Sequence, residues 1–182
     1  MLYTIGIKNC AYKISGGTLS PLASAQKISF SNKSETRNFI CRLSDGQVTS
    51  YNEVVDAGKD ATLDIITLPL KFMKEVLGFT QSQNGVITEN ARPKSVHFSL
   101  FYETQGDDEP IRVQLYDVVC PQPDFDVTTI SNKLAVDGRK LKLIVNSSVY
   151  EDLSKPRSIG RSIRRSDNPT LFDNWFGEVT TT

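Results

Sequence analysis

The side chains best suited to chemistry in this 182-residue chain are one histidine, three cysteines, a run of acids and a cluster of arginines. Asp107, Asp108 and Glu109 stand in succession, the raw material of a carboxylate pair for acid–base or metal work. They directly precede Pro110, and solvated acids at a hairpin tip are the ordinary reading of such a run. His97 alternates with Val96 and Phe98 in a strand-like pattern, where a lone histidine is structural or superficial far more often than it is a base. Cys10, Cys41 and Cys120 are odd in number and widely spaced, with no Cys-x-x-Cys pair and a single histidine for company. Buried free thiols in a reducing compartment account for them, and no metal site is expected. The chain holds no Gly-x-Ser-x-Gly, P-loop or His-Glu-x-x-His, and Gly16-Gly17 opens no helix that would cradle a phosphate. The expectation is a protein that is not an enzyme and carries no cofactor.

The arginines lie near the C-terminus, in SKPRSIGRSIRR over residues 154–165, which has five positive charges and no negative one. Arg157, Arg161, Arg164 and Arg165 suggest phosphate contacts, yet no motif or interleaved aromatic supports a nucleic-acid site. Directly after them, Leu171, Phe172, Trp175 and Phe176 form an apolar stripe behind the helix-start signal Asp167-Asn168-Pro169. A free tail has little reason to carry such a stripe. Residues 151–182 therefore read as an arm whose aromatic anchors dock on this subunit or a neighbour.

Composition bounds what those residues belong to. Apolar residues make up 38% of the chain and mean hydropathy is −0.28, which fits one soluble domain with a real core plus extended arms. No run approaches a membrane span, and MLYTIGIKNC lacks the basic and apolar regions of a signal peptide. Lys plus Arg and Asp plus Glu are each 21, so the formal charge is zero. That balance argues against a phosphate-gripping protein and favours self-association.

The positioning elements are mostly strands. Residues 2–8, 11–14, 27–31 and 39–43 read as short strands, and 61–68 as a strand covered on both faces. Between them, residues 44–60 form a polar stretch whose Asp45-Gly46 and Ala57-Gly58-Lys59 read as turns in a long hairpin or extended loop, a kind of segment that is usually functional or disordered. Asn84-Gly85 marks a turn. Val96, Phe98, Leu100 and Tyr102 share one strand face, and a turn at residues 105–110 returns the chain into a second strand from Ile111. Residues 124–130 read as extended, and Asp137-Gly138 turns into a final strand with Leu141, Leu143 and Val145 inward. One helix interrupts them. Pro69 starts it, Leu70, Phe72, Met73, Val76 and Leu77 form its stripe, and Gly78 ends it in a left-handed turn after about ten residues. So short a helix must be held by a sheet or a neighbouring subunit. On residues alone it reads as a lid on a β-sandwich core.

Several of these pieces occur in a characteristic order: LYTIGIKNCAY at residues 2–12, AGKDATL leading through the helix to LGF over 57–79, NGV at 84–86, KSVHFSLFYE paired with IRVQLYDVVCPQP over 94–123, and a threonine-containing stretch running to the last strand over 127–145. In that order the chain resembles the major tail proteins of tailed bacterial viruses, the phi13-type family. The likeness covers residues 2–148 and leaves out the C-terminal arm. It implies a mainly β fold of the tail-tube type, a β-sandwich or partly open barrel in one domain over residues 1–150 with a flanking helix at 69–78 and a long loop at 33–60. It further implies six copies per ring, rings stacked helically into a hollow tube, and passage of double-stranded DNA without specific binding. The partners implied are copies of itself, a tape measure protein, a tail terminator and distal tail or baseplate proteins. The place implied is the virion tail, assembled in the host bacterial cytoplasm and using no membrane.

Under that resemblance, stacking falls to the long loop, with Ser44, Asp45, Gly46, Tyr51, Ala57, Gly58 and Lys59 as candidates. The ring contact falls to strand edges and the helix residues Leu70, Phe72, Met73, Val76 and Leu77. A lumen lined with lysines would bind duplex nonspecifically with Kd of roughly 10⁻⁴ to 10⁻⁶ M, so a neutral or acidic lining is expected, with Asp64, Glu103, Asp107 and Asp108 as candidates. Other ring-formers of the same class are alternatives: a tail terminator, a distal tail protein or a tail-derived secretion tube. A monomeric β-sandwich that binds carbohydrate or peptide is the alternative from another class.

Overall fold

The computed structural model describes residues 6–42, 46–105, 109–123, 139–146 and 158–178. In chain order its elements are β1 (Gly6–Ile14), β2 (Ser20–Pro21), β3 (Ala25–Arg42), β4 (Val48–Ile65), α1 (Leu70–Glu75), β5 (Thr80–Gln81), β6 (Ile87–Thr88), β7 (His97–Gln105), β8 (Ile111–Val119), β9 (Arg139–Asn146), β10 (Gly160–Arg164) and α2 (Pro169–Glu178). The fold is mainly β, and the main sheet is antiparallel throughout. Its strands run in the order β2-β1-β7-β8-β9-β4-β3, with β10 added to β8. A separate small hairpin, β5-β6, turns at Asn84-Gly85 with Gly85 at φ 81°.

One continuous sheet rather than two facing sheets encloses the core, so the barrel form of the expectation holds and the sandwich form does not. The curl brings its far ends together: a Cβ on Gly6 of β1 would stand 3.0 Å from the carbonyl oxygen of Gln26 in β3. Alternation does the sorting, because successive strand side chains point to opposite faces. Tyr12, Leu63, Ile65, Phe98, Leu100, Leu115, Val118, Leu141, Leu143 and Val145 all fall on the inner face and are buried. On β4 the residues between them, Thr62 and Asp64, are only half-buried, so this strand is covered on one face and not on both.

Helix α1 closes one end of the barrel. Phe72 packs edge-to-face on Tyr12 and Phe98, with centroids 5.0 and 5.8 Å away. The helix is shorter than its stripe suggested, six residues, with Pro69 as an extended N-cap rather than the first helical residue. Gly78 takes φ 74° as expected, and the Phe79 N–H reaches the Met73 carbonyl at 3.0 Å. Beside it, the Tyr12 phenol donates to Glu75 Oε2 at 2.8 Å, and burial together with that bond pushes the phenol's pKa up.

Where several short strands were expected, long ones run through. From Gly6 on, the first two candidates form the single strand β1, kinked by a register shift between Lys8 and Ala11 with Asn9 at φ 51°, and residues 2–5 lie outside the described residues. The strands expected at 27–31 and 39–43 are, up to Arg42, both parts of β3, and most of the polar stretch 44–60 is β4. The segment expected at 124–130 and the turn at 137–138 lie outside the described residues.

Candidate assembly interface

The part of the molecule least explained by its own core is the outer half of the β3–β4 hairpin. At the base, β4 pairs with β9 on one side through residues 59–65 and with β3 on the other. Beyond residue 59 no strand joins β4 from the β9 side, and β3 is the last strand of the sheet, so among the described residues the outer hairpin is a two-stranded ribbon with both edges open. Residues 34–42 carry it about 30 Å outward at the roughly 3.4 Å rise of an antiparallel strand.

A bulge marks the departure. The register shifts between Asn32 and Ser34, so that Ala57 and Gly58 together face Lys33. Gly58 takes φ 102°, and a Cβ there would lie 3.1 Å from the Val145 carbonyl oxygen. Glycine is the residue that suits both demands. Ala57-Gly58 is thus a bend inside a strand and not the loop turn expected. The turn of the hairpin lies around Gly46, which is exposed with φ 85°, and Ser44 and Asp45 lie outside the described residues.

Directly opposed residues in an antiparallel pair share a face. One face of the ribbon therefore carries Phe39 opposite Tyr51, flanked by Arg37 opposite Glu53 and Cys41 opposite Thr49. The other carries Ile40 opposite Ser50, Val48 opposite Arg42 and Val54 opposite Thr36. The apolar members are open to solvent: Ile40 is 72% exposed, Val54 70%, Val48 63%, Tyr51 62% and Phe39 45%. Covering one such side chain is worth about 1.5–3 kcal/mol, and a free two-stranded ribbon is marginal in water. Apolar residues exposed on both faces, with no further strand beside the ribbon among the described residues, suit a segment that is covered from outside.

The helix candidates do not form such a surface. Phe72, Val76 and Leu77 lie in the subunit's own core at 2% exposure or less, so they are unavailable to a neighbour; Met73 is half-buried and Leu70 is exposed. The stripe faces inward because the barrel end needs a lid. Glu103 is likewise no lumen residue. It is buried on the outer face of β7 between Lys8 Nζ at 3.0 Å and Arg112 Nε at 2.9 Å, with Asn9 Nδ2 donating at 3.1 Å. Burial raises its pKa, but the bonds from Lys8, Arg112 and Asn9 and the charge of Arg112 outweigh that and hold the carboxyl below its usual range. Asp64 is half-buried and paired across the sheet with Lys27 and Lys140, making that face mixed in charge. Asp107 and Asp108 lie outside the described residues. Lys59 stands at the root of the hairpin rather than on it.

The C-terminal arm docks on its own subunit, and it is a strand followed by a second helix rather than an extended tail. Strand β10 pairs with residues 111–115 of β8, and Gly160 is pressed so close that a Cβ would meet the Gln114 carbonyl oxygen at 2.4 Å. Asn168 caps α2 through its side chain to the Leu171 N–H at 3.0 Å, with Pro169 at the first helical position. Phe172 and Trp175 are buried with Ile163, Phe176 packs on Phe101, and Leu171 stays exposed. Arg112 lies 4.2 Å from the Phe172 ring centroid and 4.9 Å from that of Phe176, and it donates to the Phe172 carbonyl. Arg161 bonds Gln114 and covers Trp175, and Arg165 pairs with Asp173. Arg112 and Arg161 thus tie the arm to β8, while Arg165 pairs within the arm. Arg157 lies outside the described residues. The pattern of apolar and basic residues was readable, but not that Arg112, 60 residues away, would sit between the two phenylalanines.

The remaining chemistry-bearing groups are dispersed. His97 Nδ1 meets Asp117 Oδ1 at 2.6 Å, and Asn146 Nδ2 donates to Asp117 Oδ2 at 3.2 Å, beside a polar cleft of about 390 Å³. The nearby Ser99 hydroxyl is engaged with the Tyr116 carbonyl at 2.8 Å. Cys10 and Cys120 are buried thiols, pushed up to about 12 by desolvation, whereas Cys41 is exposed on the ribbon and not buried as expected. Among the described residues no group of three or more His, Cys, Asp or Glu is placed to hold a metal ion, and no helix is long and apolar enough to cross a membrane. No family model matches the sequence, and no curated protein matches it.

Proposed function

We propose that the protein is a structural subunit that polymerises, the tube-forming major tail protein of a bacterial virus. The observation that carries the proposal is the projecting β3–β4 ribbon, with exposed apolar residues on both faces and, among the described residues, no further strand on either edge. A ring contact related by closed rotation and a stacking contact that stays open build a tube from one subunit type. The ribbon serves the stacking contact, and the strand edges serve the ring. Zero formal charge and the mixed charges around Asp64 suit a conduit that DNA traverses without sticking. The tape measure, terminator and distal tail partners, and the place in the virion tail, belong to this reading.

Negative-stain microscopy over a concentration series tests it. Hollow tubes of uniform diameter and indefinite length are the expected result. Assembly that stops at one ring favours a terminator or distal tail protein, and a monomer at every concentration overturns the proposal.

A further inference from the structure

Strand β8 has β7 along one edge, and its other edge is shared by two strands in succession. Strand β9 pairs with residues 117–119, where Asn146 stands opposite Asp117, and β10 takes over with Gly160 opposite Leu115. A β9 that simply continued would place residue 148 opposite Leu115, yet the strand found there comes twelve residues later in the chain. Thirteen residues, 147–159, therefore connect two points about 7 Å apart, the rise of two strand residues. At roughly 3.3–3.6 Å per residue that length of chain reaches up to about 45 Å. The arm it tethers closes its own apolar cluster of Ile163, Phe172, Trp175 and Phe176, apart from the main core.

We propose that the arm is exchanged on assembly: residues 158–178 of one copy dock on a second copy and add β10 to the edge of its β8. The proposal rests on the self-assembly reading and gives neighbouring subunits a second link. Two observations favour a second copy as the acceptor. Every contact that holds the arm recurs unchanged on an identical neighbour: the ladder to residues 111–115, Arg161 with Gln114, Arg112 with Phe172, and Phe176 on Phe101. Exchange therefore keeps them all. The tether is also several times longer than docking on its own subunit requires, and that slack is what a crossing needs. Subunits already held by another contact offer the β8 edge at high effective concentration, and each copy gives one arm and receives one, so the exchange propagates without closing.

Val113 and Ser162 are directly opposed across β8 and β10. Opposed antiparallel residues have Cα atoms about 4.5–5.5 Å apart, within the roughly 4.4–6.8 Å a disulfide needs. In a C41S background, which removes the exposed native thiol, full-length V113C and S162C are mixed before assembly and oxidised as tubes. A two-chain product that neither variant gives alone is expected on non-reducing gels. A chain carrying both substitutions should give a ladder from tubes and an internal bond in dilute monomer. Deleting residues 148–155 leaves five residues for the step of about 7 Å, so the arm still docks on its own subunit and the two-chain product should fall at least about tenfold. If tubes form but the mixture gives no two-chain product and the doubly substituted chain links only internally, exchange is wrong and the assembly reading stands. An unchanged yield from the shortened tether has the same meaning. A two-chain product without tubes keeps the exchange and overturns the tube, and protein that yields neither at any concentration overturns both.

Discussion

Strands β3 and β4 have the same secondary structure along 18 residues each, yet their two halves live in different environments. At the base, Ala61, Leu63 and Ile65 are buried against β9 and the core. Past the bulge at Gly58, Phe39, Ile40, Val48, Tyr51 and Val54 face water. The difference teaches that backbone pairing and burial are separate demands. The base meets both within one chain, and the ribbon meets only the first.

The comparison is broken most completely by excising the ribbon. Replacing residues 34–56 with a short turn should leave a folded barrel by circular dichroism and thermal melting but abolish polymerisation in the microscope; a variant that still forms tubes would remove the ribbon from assembly. Cutting residues 44–58 instead would also take the bulge glycine that the base requires. Next in size, Phe72→Ala in the body should cost about 3–5 kcal/mol in denaturant unfolding, whereas Phe39→Ala on the ribbon should change monomer stability by no more than about 0.5 kcal/mol. Equal losses would mean that the ribbon is packed in the monomer.

A third site sharpens the contrast. Arg112→Met leaves Glu103 with Lys8 and Asn9 only and removes the cation between Phe172 and Phe176, an expected loss of about 1.5–3 kcal/mol at the arm. The arm should also be the part most sensitive to acid. Glu103 bonds Arg112, and Glu109 accepts from the Ser166 N–H in the turn between β10 and α2; both carboxyls are held below their ordinary value of 4.5, Glu109 chiefly by its bonds to Ser166. A carboxyl depressed in the folded state contributes stability above its unfolded pKa and loses it as pH falls through the folded one. Fluorescence of Trp175, the single tryptophan, should therefore shift below about pH 4.5, before the far-ultraviolet signal of the sheet is lost. The smallest effect concerns thiols. Cys41 should react with a thiol reagent in the native subunit while Cys10 and Cys120 stay protected, and polymerisation should slow Cys41; simultaneous reaction of all three would contradict the burial of the other two.

Much of the barrel was legible because period-two alternation depends on neighbouring residues only. Phe98, Leu100 and Tyr102, and Leu141, Leu143 and Val145, lie inward as their spacing required. The helix was legible in type and in its glycine stop, but its destination was not. A stripe of Leu70, Phe72, Met73, Val76 and Leu77 looks alike whether it covers a core or a neighbour, and only the position of Tyr12 and Phe98 directed it inward. Glu103 misled because nothing local shows that Lys8, Asn9 and Arg112 converge on it. Ala57-Gly58 misled because a glycine at a strand bulge and a glycine in a turn have the same local composition.

By itself the sequence determined the class of the fold, the inward faces of β7 and β9, the α1 stop at Gly78 and the helical start at Asn168-Pro169, because propensity, alternation and capping act over a few residues. Tertiary structure alone decided that the polar stretch after Gly46 is a ribbon held beyond the sheet, that Arg112 ties the arm to its own subunit, and that β8 forks between β9 and β10. Each of these depends on residues far apart in the chain arriving at one place, which the pairing of whole strands fixes and no local pattern records.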